Sequence, residues 1–125
     1  MNGAGMKILV VDDDPFVLDM LVIVLEDAGY AVVQASNGCE ALEALDREGD
    51  MDLALTDMNM PGMDGLQLTR EILSRNASLP VLLLTAHEDA QLSHRALESG
   101  VRRCLVKDEG LMDGIADVVE ETLRG

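Results

Sequence analysis

Aromatic side chains are almost missing from this chain: Phe16 and Tyr30 are the only two, and tryptophan is absent. Any core must therefore be built from Leu, Val, Ile, Ala and Met. Cysteine is equally scarce. Cys39 and Cys104 stand far apart and fit no C-x-x-C ligand spacing, which leaves reduced, structural thiols as the reading and cytoplasm as the expected compartment. Basic residues number nine against 24 acidic ones, for a formal charge of −15. A field of that sign repels phosphate backbones and anionic headgroups, so direct contact with nucleic acid or a membrane surface is not expected. No run approaches the roughly 20 apolar residues of a membrane span, and the N-terminus lacks the charged region and apolar core of a signal sequence.

What is present suffices for one folded unit. With 125 residues, 48% of them hydrophobic, the chain can bury a core without disulfides or a structural metal. Residues 1–5 read as a flexible lead-in, and the folded domain is expected over 6–125.

Strand and helix signals alternate along that domain. Lys7–Val11 is a β-branched run stopped by three Asp, and Asp14-Pro15 then supplies an N-cap and a first helical residue. The helix is expected to run to about Ala28, with Gly29 as its stop. Further strands are predicted at Ala31–Ala35, Leu53–Thr56, Pro80–Thr85 and Cys104–Val106, and further helices at Cys39–Glu48, Gly65–Ser74, near Asp89–Ser99 and at Leu111–Arg124. Strands apolar along most of their length, each followed by a helix, predict a parallel sheet covered on both faces. Five such units with right-handed crossovers give an α/β, flavodoxin-like, doubly wound (βα)5 fold with strand order 2-1-3-4-5.

In such a sheet ligands bind beyond the carboxyl ends of the strands, where the order reverses between the first and third. Those strands end in Asp12-Asp13 and Asp57. A single Asp after a strand is most simply a turn residue. Three carboxylates delivered into one crevice raise each other's pKa unless a cation joins them, and a hard divalent ion such as Mg²⁺ resolves the conflict. The fourth strand ends in Thr85, followed by the small Ala86, and the fifth in Lys107. A hydroxyl, a point charge, an Asp pair for metal and one exposed Asp together form a constellation for phosphoryl transfer.

Four segments, ILVVDDDP, LALTDMNMPGMDG, PVLLLTAHED and CLVK, then carry a resemblance over nearly the whole length. The chain resembles the receiver domains of two-component response regulators. The resemblance implies Asp57 as phosphoacceptor, taking a phosphoryl group from a sensor histidine kinase or a histidine phosphotransfer protein. It implies Asp13, Asp57 and the backbone carbonyl of Asn59 as direct ligands of Mg²⁺, with Mn²⁺ as a substitute, and Asp12 acting through metal-bound water. Thr85, Ala86 and Lys107 would bind the phosphoryl group, while Pro61-Gly62 and Gly65 shape the loop beside the metal. A downstream output domain or effector would read a surface around the fourth helix, fifth strand and fifth helix, and a homodimer is compatible with the family. The domain would signal rather than act as an enzyme, promoting only its own phosphorylation and the hydrolysis of its aspartyl phosphate.

Two positions depart from the family pattern. Cys104 stands where receivers usually place Tyr or Phe, so the ring rotation that reports Thr movement has no counterpart. Lys107 is followed by Asp108 rather than proline, and a trans bond is expected there. A Lys-Asp pair recurs in receivers that precede helix-turn-helix output domains, a hint that the natural protein is longer. A pseudo-receiver acting without phosphorylation is the alternative that Cys104 keeps open. An aspartyl-phosphate phosphatase of the haloacid-dehalogenase type would instead use Asp12 and Asp14, but Pro15 follows and there is no room for a cap.

Other residues have plainer readings. Leu18, Leu21, Val22 and Leu25 share the face expected against the sheet, while Phe16, Met20 and Ile23 form a second stripe that either packs on the last helix or docks a phosphodonor. Met58, Met60 and Met63 are expected to fill gaps around the site. His87 and His94 lack metal-ligand spacing.

Overall fold

The structure, a computed structural model, describes residues 5–125. The lead-in expected over residues 1–5 lies, apart from Gly5, outside the described residues. Five strands, β1 (Lys7–Val11), β2 (Ala31–Ala35), β3 (Leu53–Asp57), β4 (Val81–Thr85) and β5 (Arg103–Val106), alternate with five helices. The helices are α1 (Pro15–Asp27), α2 (Gly38–Glu48), α3 (Gly65–Arg75), α4 (Ala90–Glu98) and α5 (Leu111–Arg124). All pairings are parallel, in the expected order β2-β1-β3-β4-β5.

The alternation of side chains along each strand divides the core in two. Leu9, Val11, Ala54, Val81 and Leu83 pack with α2, α3 and α4, whereas Ile8, Val10, Leu53, Leu55, Leu82 and Leu84 pack with α1 and α5. The central strands β3 and β4 are buried at every position, while the edge strands β2 and β5 are mostly half-buried or exposed. Chain order thus places the strands that end in Asp12 and Asp57 side by side in the protected middle of the sheet.

Local chemistry fixes where the helices begin. Asp14 caps α1 by accepting from the amides of Phe16 and Val17, with Pro15 already preset for the helix. Asn37 caps α2 through the Glu40 amide, which starts that helix one residue before the predicted Cys39. Asp64 and Gln67 cap α3 reciprocally. Asp89 belongs to the cap of α4 rather than to its first turn.

Gly65 is required by contact rather than by turn geometry. A Cβ there would sit 2.6 Å from both the Asp57 carbonyl oxygen and Leu83 Cδ1, so only glycine lets α3 start against the end of β3. Gly38 is a milder case: its Cβ would lie 2.7 Å from Met63 Sδ, part of a flexible side chain.

The helices are anchored unequally. α3 buries five residues, whereas α4 buries Ala96 alone. On α1, Leu18, Leu21 and Leu25 face the sheet as expected. Phe16 and Ile23 do not pack on α5: they are 74% and 60% exposed, and Met20 is half-buried. The side chains of α1 that pack in the α5-side core include Val17 and Val24 instead, so the helix-packing account of the second stripe is corrected.

Candidate phosphoryl-transfer site

Three acidic side chains meet where the order of strands reverses. Oxygens of Asp12, Asp13 and Asp57 lie within 4.8 Å of one another. Asp12 follows β1 and is fully buried; Asp57 ends β3 and is 5% exposed; Asp13 faces solvent. The exposure expected of Asp57 is therefore corrected: the strand carries its side chain below the rim, and Asp13 is the exposed member.

Lys107, just past β5, enters from the other side. Its Nζ lies 2.8 Å from Asp12 Oδ2 and 2.9 Å from Asp57 Oδ1. Asp12 divides its two oxygens: Oδ1 accepts from the Asp14 amide at the entrance to α1. Oδ2 is buried, and Lys107 Nζ at 2.8 Å is its one close cationic partner among the described residues.

The electrostatics follow from that crowding. Burial pushes the Asp57 carboxyl up, the Lys107 ammonium pulls it down, and the Asp12 charge pushes it up again, leaving it at about 6. Burial pulls Lys107 down, but its contacts with Asp12 and Asp57 outweigh this and hold it above the ordinary lysine value. Lys107 contacts two of the three clustered carboxylates, so one ammonium faces an acidic excess. The excess of two negative charges, the hard oxygen donors and the buried Oδ2 of Asp12, with Lys107 as its one close cation, together fit a divalent cation such as Mg²⁺.

The remaining predicted residues are arranged around this cluster. Thr85 ends β4, 5% exposed, but its hydroxyl donates to the His87 carbonyl at 3.0 Å. Ala86 and Asn59 are exposed in the loops after β4 and β3. The peptide after Lys107 is trans as expected, since no described peptide bond is cis. Cys104 is half-buried on the α4 side; burial pushes its thiol up, partly offset by the Ser93 hydroxyl. A thiol held protonated in this way is a poor nucleophile. Cys39, by contrast, is exposed on the first turn of α2, not a core thiol. Met58, Met60 and Met63 do pack into the core beside the site.

Sequence reasoning missed the acceptor of the Thr85 hydroxyl and the nearness of Arg95 on α4 to the same cavity. A main-chain carbonyl is offered by every residue type, so position 87 carries no signal for it. An arginine on α4, Arg95, lines the cavity next to Thr85, and its only signal is helical spacing from Asp89.

Comparisons with known proteins agree with this geometry. Residues 8–118 match the model of the response regulator receiver domain. The transcriptional regulatory protein GlrR of Escherichia coli (strain K12) is 39% identical over 125 residues, covering 98% of this chain and 28% of that protein. The sensor histidine kinase RcsC of the same organism is 41% identical over 122 residues, covering 98% and 12%. The chain thus spans well under a third of the length of either relative. Among solved structures, chemotaxis protein CheY4 of Vibrio cholerae superposes with a TM-score of 0.87 at 28% identity, covering 94% of this chain and 98% of that one. The signal receiver domain of NarL from Mycobacterium tuberculosis gives 0.86 at 30% identity, covering 100% and 99%. With its sheet order, its acidic crevice and a match over most of its length, the chain belongs to the response regulator receiver domain family.

Proposed function

We infer that this receiver domain takes a phosphoryl group onto Asp57 from the phosphohistidine of a sensor histidine kinase or histidine phosphotransfer protein. The observation that carries the reading is the Asp57 carboxylate itself, buried at the end of β3 with Lys107 Nζ 2.9 Å away and two further carboxylates within 4.8 Å. An Asp57 oxygen attacks phosphorus, the P–N bond breaks, and its electron pair leaves with the imidazole. Lys107 moves with the charge, from the carboxylate to a phosphoryl oxygen. Thr85 exchanges the His87 carbonyl for another phosphoryl oxygen, beside Ala86. Asp13, Asp57 and the Asn59 carbonyl would hold Mg²⁺, or Mn²⁺ in its place, with Asp12 acting through water. Such an ion supplies charge neutralisation when bound.

In this reading the domain promotes its own phosphorylation and the later hydrolysis of its aspartyl phosphate, and works in the cytoplasm as a unit spanning 6–125. Phe16, Met20 and Ile23 on α1 form the donor's docking face, and an output domain or effector reads the face of α4, β5 and α5. Incubation with acetyl phosphate and Mg²⁺, followed by intact mass, tests the assignment. The wild type is expected to gain one phosphoryl group and Asp57→Asn none. A wild type that gains none would sink the reading and favour a phosphorylation-independent interaction module.

A further inference from the structure

A loaded site would be left with unanswered negative charge. Lys107 offsets one of the three carboxylates, and a divalent ion offsets the other two. Converting the Asp57 carboxylate to an acyl phosphate adds about one further negative charge, and Lys107 is already drawn toward Asp12 at 2.8 Å.

Next to the crevice lies a cavity of about 270 Å³ that joins the loops after β3 and β4 to α4. Its walls include Met58, Asn59, Thr85, His87, Leu92 and Arg95. Arg95 is the one permanently cationic side chain lining it. Among the described residues its guanidinium has no salt bridge or hydrogen bond. Asp89 also borders the cavity, but its Oδ1 is engaged by the Gln91 and Leu92 amides at the start of α4. The helix that carries Arg95 is the least anchored of the five, with Ala96 as its only buried residue.

We propose that Arg95 is a further ligand of the phosphoryl group, reaching across this cavity from α4 once Asp57 is phosphorylated. This rests on the phosphoacceptor reading and extends it to the output. A guanidinium presents forked donors suited to phosphoryl oxygens, and closing the pair draws α4 toward the loop after β3. The fourth helix then responds to phosphorylation directly, and no aromatic ring at position 104 is needed to move it.

The test uses the whole chain with beryllofluoride and Mg²⁺ as the phosphoryl stand-in. Occupancy is followed by fluorine NMR, and the response of residues 90–98 by amide hydrogen exchange. In the wild type, exchange across α4 is expected to slow by about threefold or more on loading. Arg95→Gln is expected to require a several-fold higher beryllofluoride concentration for half occupancy and, at full occupancy, to show less than half of the wild-type protection. Arg95→Lys should recover part of both. Because the guanidinium is unpaired in the resting structure, neither variant should shift the metal-free melting temperature. Equal half-saturation and equal α4 protection in wild type and Arg95→Gln would overturn the proposal. A wild type that binds no beryllofluoride and takes no phosphoryl group from acetyl phosphate would overturn the phosphoacceptor reading instead.

Discussion

Burial outweighs the attraction of Lys107 and pushes the Asp57 carboxyl up to about 6. An acid whose folded value lies above its unfolded one holds more protons when folded, in the interval between the two. Its contribution is therefore present below the unfolded value and is lost as pH rises through about 6. The metal-free domain should lose stability between about pH 4 and pH 7. Asp57→Asn should be more stable than the wild type at about pH 7.5 by roughly 1–2 kcal/mol, allowing for water at the mouth of the crevice. Denaturant titration in chelator near pH 5 and pH 7.5 measures this, and a variant no more stable at the higher pH contradicts it. At this scale the residue types were legible in the sequence, because Asp12, Asp13, Asp57, Thr85 and Lys107 all stand at strand ends. Their burial was not. A strand-end acid can lie at the rim or beneath it, and which of them is exposed depends on how far each strand extends.

Among the elements, α1 has two apolar faces and only one of them is used. Leu18, Leu21 and Leu25 are buried, while Phe16, in the first turn after the Asp14 cap, and Ile23 remain open to water. Replacing both Phe16 and Ile23 with Ala removes little buried surface, so melting should move by no more than about 0.5 kcal/mol equivalent. Transfer from a phosphohistidine donor should slow at least about tenfold, the loss expected when anchor residues of a contact are truncated. Acetyl phosphate should react at the wild-type rate, and equal slowing with both donors would contradict docking. The order of strands and helices could be read from the alternation of apolar runs and breakers, and Asp14-Pro15 marked its helix to the residue. The second stripe on α1 was visible but its destination was not, since periodicity says that a face is apolar and not which neighbour reaches it. Gly38 and Gly65 also concealed their roles, because a close approach belongs to the partner, Met63 or the Asp57 carbonyl, as much as to the glycine.

Across the whole molecule, the charge of −15 acts against compactness, and most of it is exposed. The metal-free domain should therefore melt higher as monovalent salt rises to about 0.5 M, by a few degrees, because screening weakens repulsion between carboxylates. Thermal scans in chelator check this; a melting temperature that falls with salt would show that ion pairs such as Arg75 with Asp46 and Glu71 outweigh the repulsion. The site also spans most of the chain, with Asp12 near one end of the domain and Lys107 near the other. During synthesis the residue that bridges Asp12 and Asp57 emerges from the ribosome long after both. A nascent chain that holds Asp12 and Asp57 but not yet Lys107 carries the acidic pair without the cation that offsets it. Completion of the acidic crevice therefore waits on the last strand, because among the described residues no earlier element supplies a cation to Asp12 or Asp57.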